Sequence, residues 1–127
     1  MADIFVDTAT AMLGKVLDGT ATRQRVLANN IANADTPGFT RSEVVFEDQL
    51  RDITNRSWAD PDQQISDIGQ AALEINEDTL SPRQADGNNV DMEREMVEVA
   101  KNSLQYESAA QLLSMKFSGI NSAISKG

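Results

Sequence analysis

The chain has no cysteine and no histidine, 5% aromatic residues, and only three prolines in 127 positions. The first two absences remove whole classes of chemistry. No Cys–His or Ser–His–Asp nucleophile and no Cys/His zinc site can be assembled. Without thiols the chain would behave alike in cytoplasm and periplasm, so the redox compartment stays open. Basic residues are scarce as well, 11 against 20 acidic ones, for a formal net charge of -9. Phosphate neutralisation supplies most nucleic-acid affinity, so no nucleic-acid partner is expected. A polybasic membrane-surface protein is excluded on the same ground. No stretch approaches the roughly 18 apolar residues of a membrane span, so no direct membrane insertion is expected. Met1 to Val6 has no basic start, and Ile4-Phe5-Val6 is far shorter than the roughly 7–15-residue core of a cleaved signal. A cytoplasmic protein and one exported without signal cleavage would read the same.

What is present is helical periodicity at both ends. Leu13, Leu17, Thr20, Gln24, Leu27, Ile31 and Ala34 follow a 4-3 spacing, five of the seven apolar. They predict a first helix from about Thr8 to Ala34, weakened at Gly14 and Gly19 by about 1 kcal/mol each relative to alanine. The second pattern is stronger. Met92, Met96, Val99, Ser103, Tyr106, Ala110, Leu113, Phe117, Ile120 and Ile124 repeat at the same spacing, and only Ser103 is polar. This predicts a helix from Asp91 to Ser125, about 50 Å long. Asp91 suits its N-cap, Glu93 and Glu95 the positive end of its dipole, and Lys116 and Lys126 the other end.

The chain thus divides into residues 1–35, a polar central segment over 36–90, and the long helix over 91–127. Thr36-Pro37-Gly38-Phe39 reads as a type II turn, and Pro37 stops the first helix near Asp35. Ser42 to Phe46 fits a short strand or the lead into a short helix through Leu50 and Ile53. Ala71 to Ile75 is a weak strand. Seven acidic residues against Arg56 between Asp52 and Asp78 suggest an insert that buries little and is weakly ordered. The expected fold is mainly α: two long terminal helices in an antiparallel hairpin with an irregular insert.

Each buried aliphatic side chain is worth roughly 1.5–3 kcal/mol, and two patchy helices cannot cover both stripes. The interface would use Leu13, Leu17, Leu27, Asn30, Ile31 and Asn33 of the first helix, and Met96, Val99, Tyr106, Leu113, Phe117, Ile120 and Ile124 of the second. Further copies or related chains would complete the core, or the insert would close it within one molecule; periodicity alone leaves both open.

Other motifs offer little chemistry. Asp86-Gly87 with Glu93 matches part of a calcium loop, but the first and third ligand positions fall on Pro82 and Gln84. Asp60, Asp62, Glu77 and Asp78 read as solvated loop charges, since catalytic pairs need burial or a charged partner. Trp58 is either a satellite-core anchor or a partner contact. No metal or cofactor is expected, and no enzymatic activity. Three asparagines within Asn29 to Asn33 are unusual so near a helix end. They either cap a fraying terminus, or Asn30 and Asn33 hydrogen-bond across packed helices and fix register.

Asn29-Asn30-Ile31-Ala32-Asn33-Ala34-Asp35-Thr36-Pro37-Gly38-Phe39 resembles the N-terminal signature of the bacterial flagellar axial family of rod, hook and hook-filament junction proteins. Asp86-Gly87-Asn88-Asn89-Val90-Asp91, followed by Glu95, Ala100, Asn102, Leu104 and Tyr106, resembles that family's C-terminal helix start. The match covers roughly residues 8–41 and 83–125, and its short length and Lys116-Phe117-Ser118-Gly119-Ile120 are most similar to the proximal rod members. A second proximal rod type resembles the first motif but fits Asp86 to Asp91 less well. The resemblance implies a structural subunit, exported through the flagellar type III apparatus without signal cleavage. It would assemble through its terminal helices with itself and other rod proteins, and transmit motor torque. Its place would be the periplasmic rod, near the MS-ring and the small adaptor FliE. A cytoplasmic acidic helical binding module, such as an export chaperone, is the reading from another class.

Overall fold

The computed structural model describes residues 7–126; the reading of Met1 to Val6 lies outside them. Helix α1 spans Thr8–Ala32, capped by Asp7, whose carboxylate accepts from the Thr10 amide at 2.7 Å. Strand β1 (Ser42–Val45) leads into α2 (Glu47–Arg56), followed by α3 (Pro61–Gln70) and β2 (Glu74–Glu77). The long α4 covers Met92–Lys126. At 1.5 Å per residue, α1 and α4 are about 37 and 52 Å long.

Both expected long helices are present. The first ends at Ala32, two residues before the expected Ala34, with the Asn33 amide donating back to Asn29 and Asn30 carbonyls. Asp91 opens α4 as expected, accepting from the Glu93 and Arg94 amides.

The central segment differs from its expected weakly ordered character. It holds two helices and an antiparallel two-stranded ribbon with Val44 opposite Ile75. Its few apolar residues are well spaced: Phe46, Leu50 and Ile53 step 4-3 along α2, and Ile68 meets them from α3. With Val44 they form the main buried cluster, against which Ala11, Met12, Val16 and Val26 of α1 pack. Average composition hid this because five apolar side chains suffice for a small core. Asp60 caps α3 by accepting from the Gln63 amide, and Pro61 occupies its first turn, where no amide partner is needed.

Gly19 explains how the insert sits on α1. A Cβ there would lie 2.5 Å from the Phe46 ring, which is itself fully buried. The glycine thus lets the ring press against helix backbone, while Arg23, one turn on, stacks over it at 4.7 Å. Gly14, by contrast, has open space at the same position.

The two glycines should therefore respond oppositely. Gly14→Ala should raise stability by about 0.5–1 kcal/mol through helix propensity. Gly19→Ala gains the same propensity but must displace Phe46, at about 1–3 kcal/mol for overpacking. Urea unfolding should show a higher midpoint for the first variant and a lower one for the second.

Candidate assembly interface

The two motifs at opposite ends of the sequence meet in space. Asn88 donates through Nδ2 to the carbonyls of Asn33 and Thr36, both at 2.8 Å, tying off the end of α1. Its Oδ1 accepts from the Val90 amide at 2.7 Å. The Gly38 amide donates to the Asp86 carbonyl at 2.9 Å, and the Asn89 amide to the Phe39 carbonyl at 3.3 Å. At Thr36–Phe39, Gly38 has φ +73° and the Phe39 amide donates to Thr36 at 3.2 Å, the geometry of a type II turn. Gly87, also at positive φ, lies so close that a Cβ would be 3.3 Å from Gly38 Cα.

Beneath this turn pair lies a buried ionic joint. Arg41 Nε donates to Glu95 Oε1 at 2.6 Å, and its NH1 to Asp78 Oδ2 at 2.7 Å. Arg41, Glu95 and Asp78 are all buried, Glu95 completely. Asn30 donates to Glu95 Oε2 at 3.2 Å and to the Ser42 carbonyl at 2.8 Å, and accepts from the Ser42 amide at 2.9 Å. Asn89 bridges the Arg41 amide and the Asp78 carbonyl at 2.7 and 2.6 Å. One cluster of side chains thus ties α1, both strands and α4 together.

The electrostatics agree with this geometry. The Ser81 hydroxyl, then Arg41 and the Leu80 and Ser81 amides, hold the Asp78 carboxyl well below the usual range despite burial. Burial opposes the Arg41 charge, but Glu95 and Asp78 outweigh it and raise its pKa. At the far end of the hairpin, Lys116 and the Thr10 amide lower Asp7 to about 2.

Asn30 therefore bonds across helices, whereas Asn33 makes the local contact, donating to Asn29 at 2.8 Å. Asp78 is not a solvated loop charge; its turn and Arg41 bury it. Glu95 stands in the first turn of α4, as expected, and from there its buried carboxylate meets Arg41.

The face of α4 buried within the hairpin is not its apolar stripe. The line buried against α1 is Glu95, Asn102 and Ala109. Asn102 donates to the Thr20 carbonyl at 2.8 Å and to Gln24 at 2.9 Å, and Lys116 reaches Asp7 at 2.6 Å. From Glu95 through Asn102 to Lys116 the partners thus run back down α1 from Asn30 through Thr20 to its cap Asp7. Val99, Leu113 and Ile120 flank this seam half-buried, while Met96, Tyr106, Phe117 and Ile124 are exposed. On α1, Leu27 and Asn30 are buried and Leu13, Leu17 and Ile31 half-buried. Leu17, Leu113, Phe117, Ile120 and Ile124 line one open groove. Hydrophobic periodicity missed the seam because its members are Glu, Asn and Ala. The signal for Arg41 was weak, a lone arginine beside the turn motif.

Arg41→Met should leave Glu95 and Asp78 buried without their cation, at a cost of about 3–5 kcal/mol in denaturant unfolding. Asp78 also sets an acid dependence. Its folded pKa lies below the unfolded value of about 4, so the folded state binds fewer protons there and stability rises with pH. Its contribution is complete above about pH 4 and lost as pH falls toward the folded pKa. Asp78→Asn should be less stable at pH 7, yet lose less stability between pH 4 and pH 2 than the parent.

A family profile described as flagella basal body rod protein matches residues 17–40, the α1 and turn half of this joint. Across 96% of both chains the sequence is 33% identical to flagellar basal body rod protein FlgB of Escherichia coli (strain K12). It is 34% identical to FlgB of Borrelia hermsii over 87% of this chain and 90% of that one. With FlgB of Bacillus subtilis (strain 168) the identity is 29% over 83% and 84%. Such coverage spans the turn pair, the insert and both helices alike, and the chain belongs to the flagellar basal body rod protein FlgB family.

Proposed function

We propose that the chain is a structural subunit of the proximal rod, assembling with itself and other rod proteins through α1 and α4 to transmit motor torque. The observation that carries this reading is the apolar surface of α4. Met96, Leu104, Leu112, Met115, Phe117 and Ile124 are each more than half exposed. A monomer rarely leaves so extended an apolar set in water, and facing helices of neighbouring subunits would bury it. Exposure on several sides of α4 suits a helix surrounded by neighbours better than one paired partner.

In this reading the buried joint sets the angle between insert and helices, so torque passes through a stiff subunit. The subunit reaches the periplasmic rod through the type III export apparatus without signal cleavage. At the rod base it adjoins the adaptor FliE and the MS-ring.

Phe117→Asp and Ile124→Asp test the helix contacts without touching the joint. Both side chains are exposed, so the isolated variants should match the parent's stability within about 0.5 kcal/mol. Cells carrying either should fail to spread in soft agar, and their basal bodies should lack rods. Normal swimming by both variants would overturn the proposal.

A further inference from the structure

The β1–β2 ribbon has two outer edges, and the chain treats them differently. On β1 the edge groups are occupied: Asn30 bonds both the amide and carbonyl of Ser42, and Arg23 donates to the Val44 carbonyl at 2.8 Å. Two α1 side chains thus stand where a neighbouring strand would be. Because antiparallel pairs alternate, this fixes Glu43 and Val45 as the residues that bond inward, to Asn76 and Glu74. The amides and carbonyls of Ile75 and Glu77 must then point outward from β2. All four β2 residues are exposed, and among the described residues none of those outward groups has a partner.

The side chains show the same incompleteness. Directly opposite residues share a sheet face, so Ile75 lies on the face of Val44. Val44 is 3% exposed and Ile75 56%. The ribbon overhangs the core that covers its first strand, leaving an inner-face apolar position open beside the free edge.

Charge selects the occupant. Residues 47–77 carry eight carboxylates against Arg51 and Arg56. In α1, Lys15, Arg23 and Arg25 outnumber Asp18, and in α4 the charges balance. A second copy pairing antiparallel through these outward groups would crowd the Glu74 and Glu77 carboxylates of both copies on one short ribbon, where their like charges repel. We infer that the outer edge of β2 is a docking site for an extended, positively charged segment of a different chain, added as a third strand. Main-chain bonds to Ile75 and Glu77 give affinity, and basic side chains opposite Glu74 and Glu77 give selection. The inference rests on the rod reading, since it places the partner in the assembled structure.

Hydrogen exchange by mass spectrometry on isolated protein and on purified basal bodies tests it. In the isolated chain the peptide covering residues 73–78 should leave the Ile75 and Glu77 amides unprotected. In basal bodies both should exchange at least about a hundredfold more slowly. The double variant Glu74→Lys/Glu77→Lys, exposed in the isolated chain, should keep the parent's unfolding midpoint but lose that protection and swimming. Ile75→Pro, which removes only an outward amide, should do the same. Unchanged exchange at both amides in basal bodies that contain the chain would overturn the docking site alone. Absence of the chain from basal bodies would overturn the rod reading with it. Protection appearing in concentrated isolated protein would mean a second copy covers the edge, and would also sink the proposal, as would normal swimming by the charge-reversed variant.

Discussion

A guanidinium with only 2% exposure must have its donors met, and in this chain the partners come from the far corners of the sequence. Arg41 follows the first turn, Asp78 follows β2, and Glu95 lies in the first turn of α4. None of the three tolerates burial without the others. The insert cannot swing relative to the hairpin without leaving a buried charge unpaired, so this joint fixes the insert against the end of α1 and the start of α4. Asn30, Asn88 and Asn89 complete it by satisfying backbone groups left open at the helix end and ribbon end. Asparagine serves here because one amide both donates and accepts.

The long helices were legible because their spacing is a property of the chain alone. The turn at Thr36–Phe39 was legible for a similar reason: Pro and Gly specify local dihedrals. The seam between the helices was not, because periodicity finds apolar faces and the seam is Glu95, Asn102 and Ala109. The insert was misjudged from its average polarity, when the placement of Phe46, Leu50, Ile53 and Ile68 is what matters. Gly19 is instructive in this respect. Read locally it weakens α1, yet its missing Cβ lets Phe46 in, a fact that depends on a residue 27 positions away. Nothing in either motif says that Asn88 faces Thr36; that pairing exists only once the hairpin closes.

This arrangement separates two tasks that one apolar interface would confuse. The main apolar cluster lies between the insert and one face of α1, and the joint holds the far side with charge and amides. Hairpin closure therefore consumes few of the large apolar residues of α4, which stay on the outside. Had the helices paired through those side chains, the subunit would be sealed and have little left for neighbours.

A buried ion pair is seldom more stabilising than well-packed aliphatic residues of the same volume. What Arg41 supplies is better described as direction. Apolar side chains accept many crossing angles at similar energy, whereas a guanidinium shared by two carboxylates accepts few. A subunit that repeats along a rod, as proposed above, needs its helices and insert at one fixed angle in every copy, since angular error accumulates along the assembly. The polar joint meets that need at the turn end, and the apolar surface toward the other end of α4 remains free to bind. Specification and adhesion are carried by different residues of the same helix.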